Sequence, residues 1–91
     1  MFYVYIIQSQ KDKSFYKGFS TNPLVRLAQH NNKEAAYTSY KVPWALVHIE
    51  IYDNKPVALK REKVLKKYSR LQIEQLNNKH SRQRTKHSEI T

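Results

Sequence analysis

Glu62 is the residue whose surroundings point most directly to chemistry. It is the only acidic residue in a stretch that carries the basic residues Lys55, Lys60, Arg61, Lys63, Lys66, Lys67 and Arg70. One interpretation is an ion pair with Lys66 one helical turn away, worth about 0.3 kcal/mol. The other is a metal ligand, because magnesium often takes one or two carboxylates and fills its shell with water and substrate phosphate. One carboxylate beside a basic surface would suit phosphodiester cleavage.

Four further polar side chains lie in the first third of the chain. Tyr5 and Tyr16 lie on two predicted neighbouring strands, and Arg26 and His30 are four residues apart on a predicted helix. Each also has a structural explanation. A tyrosine can use its hydroxyl as a hydrogen-bonding handle in a core, an arginine usually lies on a solvated face, and a surface histidine near a helix end complements the helix dipole.

Several familiar active sites are absent from the sequence, which has no P-loop, GxGxxG, HExxH or GxSxG motif. The chain also has no cysteine and no paired-histidine spacing, which disfavours a disulfide framework and a stable zinc site. The lack of cysteine is in keeping with a reducing compartment, and we expect a cytoplasmic protein.

The charge balance indicates a polyanionic partner. The chain carries 17 Lys and Arg against 7 Asp and Glu, a formal net charge of +10. Such a field attracts polyanions and makes their binding depend on salt, so nucleic acid, DNA above all, is the predicted partner. A cationic domain without such a partner is the alternative. No membrane association is expected, because no apolar run approaches the ~20 residues that cross a bilayer and the N-terminus lacks secretory-signal features.

Strands at the start of the chain must position the two tyrosines. Phe2–Gln8 is apolar on both faces, which predicts a buried strand, and SFYKGF resumes strand character after the polar turn SQKDKS. A hairpin centred between residues 10 and 11 would place Tyr5 opposite Tyr16, whereas a turn centred one residue later would remove that pairing. Trp44–Tyr52 is predicted as a third strand.

Two helices are predicted from their caps and apolar spacing. Asn22 and Pro23 suit the start of the first, which would carry an apolar stripe of Leu24, Leu27 and Ala28 with Arg26 and His30 on the opposite side. The second starts near Asp53 or Asn54 and runs to Ser69, with Arg61 projecting toward its apolar face. That apolar face would comprise Val57, Val64, Leu65, Tyr68 and Leu71, and the basic face Lys60, Lys63, Lys66, Lys67 and Arg70.

The predicted fold is a small α/β domain of the α+β kind, in the order β-β-α-β-α-α. Three strands form one antiparallel sheet flanked by helices, the last of them a short helix over Arg70–Asn77. Residues 1–77 are predicted to form the domain. Residues 78–91 are a basic tail that has little to bury and is expected to be mobile.

These elements resemble the GIY-YIG nuclease superfamily in its small standalone form. YVY at 3–5 takes the place of the family's Gly-Ile-Tyr strand, with Tyr3 for the glycine, and YKG at 16–18 that of its Tyr-Ile-Gly strand. RLAQHN at 26–31 is similar to the family's RLxxHN helix. YTSYKVPWALVHIE resembles the entry to the third strand, and ALKREKVLKKYSR the helix that brings the metal-binding glutamate. The resemblance covers residues 2–76.

The resemblance implies that Glu62 holds one magnesium or manganese ion. It implies that Tyr5 or Tyr16 helps to deprotonate the attacking water. A free phenol has a pKa near 10, so it would need the metal, an arginine or the other tyrosine to act as a base. Arg26 would bind the scissile phosphate, and His30 would position a phosphate or assist proton transfer.

The second motif departs from the family pattern. Lys17 replaces isoleucine, although in a strand it would point to the face opposite Tyr16. Phe19 stands where some relatives carry a lysine. Gly18, the only glycine, would leave room for a phosphate backbone beside Tyr16. Asn77 lies at a distance from Glu62 similar to that of a functional asparagine in some relatives.

The predicted function is a metal-dependent endonuclease-like protein that hydrolyses phosphodiester bonds in DNA, with repair or recombination as the process considered. For its selectivity three alternatives are open, namely weak sequence preference, a preference for a structure such as a flap, junction or single strand, and targeting by a partner. The residues predicted to contact the nucleic-acid backbone without reading sequence are Lys17, Lys60, Lys63, Lys66, Lys67 and Arg70. The alternative is a catalytically weak nucleic-acid-binding module that keeps the fold. A third hypothesis is a protein that contacts other subunits through an exposed Trp44 and the tyrosines.

Overall fold

Two antiparallel strands form a hairpin at the start of the chain. In the computed structural model, which describes residues 1–76, β1 spans Phe2–Ser9 and β2 spans Phe15–Ser20. The turn between them is closed by a hydrogen bond of 2.9 Å from the Ser9 amide to the Ser14 carbonyl, and Lys13 adopts a left-handed conformation with φ 67°. Asn77 and the basic tail 78–91 lie outside the described residues.

The register of the hairpin places Tyr5 opposite Gly18 and Tyr16 opposite Ile7. The direct pairing of Tyr5 with Tyr16 is therefore wrong, and the register with the turn centred one residue later is the one that forms. The two tyrosines nevertheless share a face of the sheet. Directly opposed residues point to the same side, and Tyr16 lies two residues from Gly18 on β2.

The third strand, β3, spans Trp44–Tyr52 as predicted and pairs antiparallel with β1. The sheet has the order β2-β1-β3, so β1 is its central strand. The four consecutive residues Val4, Tyr5, Ile6 and Ile7 are all buried, which confirms the prediction of a strand that is covered on both sides.

Helices pack against both faces of the sheet. On one face, Val4 and Ile6 form a core with Ala58, Leu65 and Ile73, which come from the helices after β3. We call this the α2 face, after the helix α2 at Lys55–Lys66. On the other face, Tyr5, Ile7 and Trp44 form a second cluster, against which Leu27 packs. We call this the α1 face, after the helix α1 at Pro23–Asn31.

The first helix, α1, spans Pro23–Asn31 and begins as predicted, with the Asn22 side chain accepting a hydrogen bond from the Val25 amide. Of its predicted apolar stripe only Leu27 packs against the core, and the placing of His30 on the opposite side is wrong. Leu24 is 67% exposed and Ala28 is also exposed, whereas His30 is buried. The histidine can face inward because its ring finds hydrogen-bond partners there, which offsets the cost of burying a polar group.

The second helix, α2, spans Lys55–Lys66 and is capped by Asn54. It ends earlier than predicted, and residues 70–76 form a separate short helix, α3, which begins with reciprocal hydrogen bonds between Ser69 and Gln72. Ala58 and Leu65 are the buried residues of α2. The predicted apolar face is wrong for three residues that are exposed, namely Val57, Val64 and Leu71. The element order β-β-α-β-α-α is confirmed.

Arg61 points from α2 toward the sheet, where it pairs with Glu50 of β3. Arg61 Nε lies 2.9 Å from Glu50 Oε1, and the terminal guanidinium nitrogen lies 3.0 Å from Oε2. Tyr52 donates to the same carboxylate at 2.6 Å, and His48 Nε2 lies 2.8 Å from it. Burial pushes the pKa of Glu50 upward, but hydrogen bonds from His48, Arg61 and Tyr52 lower it to about 2.

Within residues 1–76 no helix has both the length and the apolarity to cross a membrane.

Candidate active site

Tyr5 lies across Gly18 on the α1 face of the sheet. A Cβ atom added at Gly18 would overlap the phenol end of Tyr5, so the space that glycine leaves is filled by this side chain. The prediction that Gly18 makes room for a phosphate backbone is therefore wrong in this conformation. The glycine instead allows the tyrosine of the first motif to lie over the strand of the second.

His30 holds the hydroxyl of Tyr5 from α1. The Tyr5 hydroxyl and His30 Nε2 are 3.1 Å apart, and His30 Nδ1 lies 2.8 Å from the Thr38 hydroxyl. Thr38 in turn donates to the Ala35 carbonyl at 3.3 Å. The His30 tautomer protonated on Nδ1 satisfies all of these hydrogen bonds. Its Nδ1 donates to the Thr38 hydroxyl, and its Nε2 accepts a hydrogen bond from the Tyr5 hydroxyl.

The burial of His30 decides its charge. The side chain is 0% exposed. Burial lowers the pKa of His30, and the positive charge of Arg26 lowers it further, so the ring is neutral at physiological pH. A surface histidine that complements the helix dipole is therefore the wrong interpretation. In this conformation His30 is out of direct contact with solvent and would act on a substrate only through its neighbours.

Arg26 lies next to the same hydroxyl. Its guanidinium lies close enough to the Tyr5 hydroxyl to lower the pKa of that group, and it donates a hydrogen bond of 2.6 Å to the side chain of Gln29. Tyr5 is only 1% exposed. Burial raises the pKa of Tyr5, and the nearby Arg26 opposes this rise without cancelling it. Tyr5 therefore remains a protonated phenol at neutral pH.

Tyr16 lies beside this group and is only partly buried. Its ring meets the His30 ring edge-on at 5.0 Å between centroids, and it lies 6.3 Å from the Trp44 ring. Its charge also contributes to raising the pKa of Tyr5, which places the two hydroxyls in one electrostatic environment. Of the two candidate tyrosines, Tyr16 is the one accessible to solvent.

Glu62 approaches the group from α2. Its side chain is largely buried and pairs with Lys66 Nζ at 3.2 Å, as the structural interpretation of the sequence predicts. Its negative charge also raises the pKa of Tyr5. Among residues 1–76 no three His, Cys, Asp or Glu side chains are grouped to hold a metal ion. A site here would rest on one carboxylate, with water and phosphate completing the shell, an arrangement that magnesium accepts.

The structure thus places Tyr5, Tyr16 and His30 in contact, with Arg26 beside them, and Glu62 is linked to them only through the effect of its charge on Tyr5. The basic residues predicted on α2 and beyond are exposed, namely Lys60, Lys63, Lys66, Lys67 and Arg70, and their contact with nucleic acid stays a prediction. Lys17 pairs with Ile6 and faces the α2 side, away from Tyr16 as predicted. Phe19 also faces that side, where it stacks on Phe2.

Sequence reasoning missed two residues that support the site. Thr38 is buried and orients His30, and Asn31 bonds both backbone groups of Trp44, accepting from its amide at 2.6 Å and donating to its carbonyl at 3.1 Å. Thr38 and Trp44 lie in or next to a segment without regular periodicity, so no pattern indicates these contacts. Trp44 itself is buried, and its ring nitrogen donates to the Thr38 carbonyl. It is therefore not the exposed contact residue of the third functional hypothesis.

Comparison with known proteins shows the family to which the chain belongs. Residues 1–78 match the family model described as the GIY-YIG catalytic domain. The chain belongs to the GIY-YIG family. Domains of this family are generally those of nucleases that use divalent metal ions.

Several relatives of this GIY-YIG protein are UPF0213 proteins. One from Haloquadratum walsbyi is 41% identical over 75 residues, which cover 81% of this chain and 83% of the relative. One from Staphylococcus haemolyticus is 44% identical over 71 residues, 77% of this chain and 85% of the relative. The solution NMR structure of a UPF0213 protein from Bacillus halodurans matches with a TM-score of 0.54 and 36% identity, over 84% of this chain and 82% of that one.

Proposed function

We propose that this protein is a divalent-metal-dependent endonuclease that hydrolyses phosphodiester bonds in DNA. The observation that carries the proposal is the Tyr5 hydroxyl, which is hydrogen-bonded to His30 and whose pKa is shifted by the nearby Arg26, Tyr16 and Glu62. A phenol beside a neutral histidine, an arginine, a second phenol and a carboxylate would suit acid–base chemistry next to a phosphate. Selective cutting of DNA structures in the cytoplasm, in repair or recombination, is the process we infer for it.

Arg26 is the residue that we propose for phosphate binding. It is partly exposed on α1, and its guanidinium can give two parallel hydrogen bonds to phosphate oxygens. The same charge would stabilise the negative charge that develops on the phosphate as the bond breaks. Its position beside Tyr5 would orient the guanidinium before the substrate arrives.

Glu62 is the residue that we propose for holding one Mg²⁺ or Mn²⁺ ion. The fit rests on its donor chemistry, since it is the one acid on α2 and its partner Lys66 is an exposed, flexible side chain that a cation can displace. When bound, the ion supplies positive charge to the phosphate being cleaved.

We propose that the two tyrosines have different roles. Tyr5 is buried and its pKa is raised, so it stays protonated, donates a hydrogen bond to His30 and is a poor base. Tyr16 is accessible and lies against the His30 ring, and we assign it to the attacking water. The Tyr5–His30 pair would then orient Tyr16 and Arg26.

The proposal is tested with Glu62→Gln in a cleavage panel of duplex, single-stranded and branched DNA with Mg²⁺ or Mn²⁺. We expect the wild type to cut at least one substrate and the variant to lose about 10²-fold or more of that activity. Binding measured in EDTA should be unchanged. Glu74→Gln is the matched control, because Glu74 also pairs with a basic residue four positions away, at 3.1 Å, and is exposed on α3.

Two outcomes would contradict the proposal. If Glu62→Gln cuts as well as Glu74→Gln, Glu62 does not hold the metal. If the wild type binds DNA but cuts none of the panel, the protein is a binding module that keeps the fold. In the same panel Tyr16→Phe should lose more activity than Tyr5→Phe, and the reverse order would exchange their roles.

A further inference from the structure

Two tyrosines near the candidate active site have no role in the chemistry proposed above. Tyr37 is 68% exposed and Tyr40 is 80% exposed. Both lie in the segment that joins α1 to β3, where residues Ser39–Lys41 form one turn of 3-10 helix. Tyrosine is enriched at binding surfaces, because its ring offers apolar contact area and its hydroxyl stays in contact with water.

Lysines accompany both rings. Lys41 Nζ lies 5.8 Å from the centre of the Tyr37 ring, and Lys11 Nζ donates a hydrogen bond of 3.2 Å to the Tyr40 carbonyl. Lys41 also forms an ion pair with Asp12 at 3.1 Å, which fixes its position over the turn of the β1–β2 hairpin. We call the four residues Tyr37, Tyr40, Lys11 and Lys41 the tyrosine platform.

The tyrosine platform continues the candidate active site. The Tyr37 ring lies 6.1 Å from the Tyr16 ring, and the Tyr16 ring lies 5.0 Å from that of His30. A strand whose phosphate met Arg26 would therefore have neighbouring nucleotides within reach of Tyr37.

The residue types of the tyrosine platform indicate which class of ligand it would bind. Flat rings among lysines suit a ligand that has both π-faces and negative charge, and a strand of unpaired DNA presents both at each nucleotide. In a continuous duplex the base faces are already stacked on each other, so the rings would gain little. A protein partner without acidic residues would give the lysines and the net charge of +10 no counterpart, whereas every nucleotide of a DNA strand carries a phosphate.

We propose that the tyrosine platform is a stacking site for unpaired bases of the DNA substrate, next to the scissile phosphate. This rests on the proposed function for the identity of the substrate and deepens it, because it makes an unpaired segment, rather than continuous duplex, the preferred ligand.

The test is a binding measurement in EDTA, so that no cleavage is needed. A labelled single-stranded 15-mer, the duplex of the same sequence and the matching RNA are titrated with the wild type and with Tyr37→Ala/Tyr40→Ala. We expect the double variant to lose about tenfold or more in affinity for single-stranded DNA and less than about threefold for the duplex. Tyr37→Phe/Tyr40→Phe should bind like the wild type, because a phenyl ring also stacks.

Leu71→Ala, at another exposed apolar residue on α3, is the matched control and should change neither affinity. Equal losses for single strand and duplex, or no loss, would overturn the inference. So would tighter binding to the RNA than to the DNA, or a variant that alters only the oligomeric state in sedimentation. If the protein cuts no DNA but the double variant still loses affinity for single strands, only the proposed nuclease function is wrong. If the protein cuts DNA but the double variant binds single strands like the wild type, only the stacking site is wrong.

Discussion

At the scale of single residues, Tyr5 and Gly18 form one steric unit although they belong to different motifs. The ring of Tyr5 occupies the space of the missing side chain, and its hydroxyl is placed there for His30 and Arg26. The motifs could be recognised in the sequence, but the reason for the glycine could not, because it depends on the register of the hairpin. That register is set by the turn and its left-handed Lys13, which the polar sequence SQKDKS does not specify.

Gly18→Ala tests this unit. The new Cβ would overlap Tyr5, so we expect the free energy of unfolding to fall by about 1–3 kcal/mol, as for overpacking of a core. Urea unfolding measures the change. In a Tyr5→Leu background the clash is removed, and the same substitution should then cost less than about 0.5 kcal/mol. An equal cost in both backgrounds would show that Tyr5 is not the cause.

The chemical identity of the site could be predicted better than its support. Tyr5, Arg26, His30 and Glu62 could be singled out by type and spacing; Tyr5 and His30 are hydrogen-bonded, and the roles of all four stay predictions. Thr38 could not, because a threonine in an irregular segment gains its role from a histidine eight residues away that turns inward. Hydrogen-bond partners across a fold follow from tertiary packing, which the local pattern does not encode.

At the scale of elements, the strands and helix starts could be predicted but the faces of the helices could not. Caps are local, so Asn22 and Asn54 indicate the starts of their helices directly. The buried side of a helix in a small domain is instead decided by which side chains find partners there. On α1 a histidine rather than a leucine is buried, and on α2 an arginine faces the sheet because Glu50 of β3 pairs with it. Hydrophobic periodicity misses both.

Glu50→Gln tests the link between α2 and β3. The carboxylate side chain is 12% exposed, so its loss leaves the Arg61 charge without its partner, and we expect about 3 kcal/mol of destabilisation at pH 7. The pKa of Glu50 is about 2 in the fold, below the ordinary 4.5. Its contribution is therefore full above about pH 5 and is lost as the pH falls toward 2.

The measurement is thermal or urea unfolding of both proteins at pH 7 and pH 3, where the difference between them should shrink. Glu74→Gln serves again as the exposed counterpart, with an expected cost below about 0.5 kcal/mol. A Glu50→Gln protein as stable as Glu74→Gln would mean that the ion pair contributes nothing net.

At the scale of the whole molecule, positive charge is spread over surfaces that the candidate site does not use. Lys60, Lys63 and Lys67 are exposed on or just after α2, the helix that also carries Glu62. If this surface follows the DNA backbone, each lysine that meets a phosphate should release counterions and steepen the dependence of affinity on salt.

Changing these three lysines to glutamine should flatten the slope of log affinity against log salt concentration by up to about three, or about one for each lysine that binds a phosphate. A variant with Lys13 and Lys33 changed instead is the control, since these residues are also exposed and lie outside α2, and the flattening is compared for each lysine removed. Equal flattening per lysine in the two variants would mean that net charge alone acts and that α2 is not the surface that binds DNA.

The central strand β1 restricts how this protein can diverge. A strand with one solvated face can change every second residue freely, but β1 has four consecutive buried residues, of which Val4 and Ile6 belong to one core and Tyr5 and Ile7 to the other. Sequence drift in this fold must therefore accumulate on the edge strands and on the outer sides of the helices. A substitution at any of residues 4–7 therefore changes the packing of one of the two core clusters.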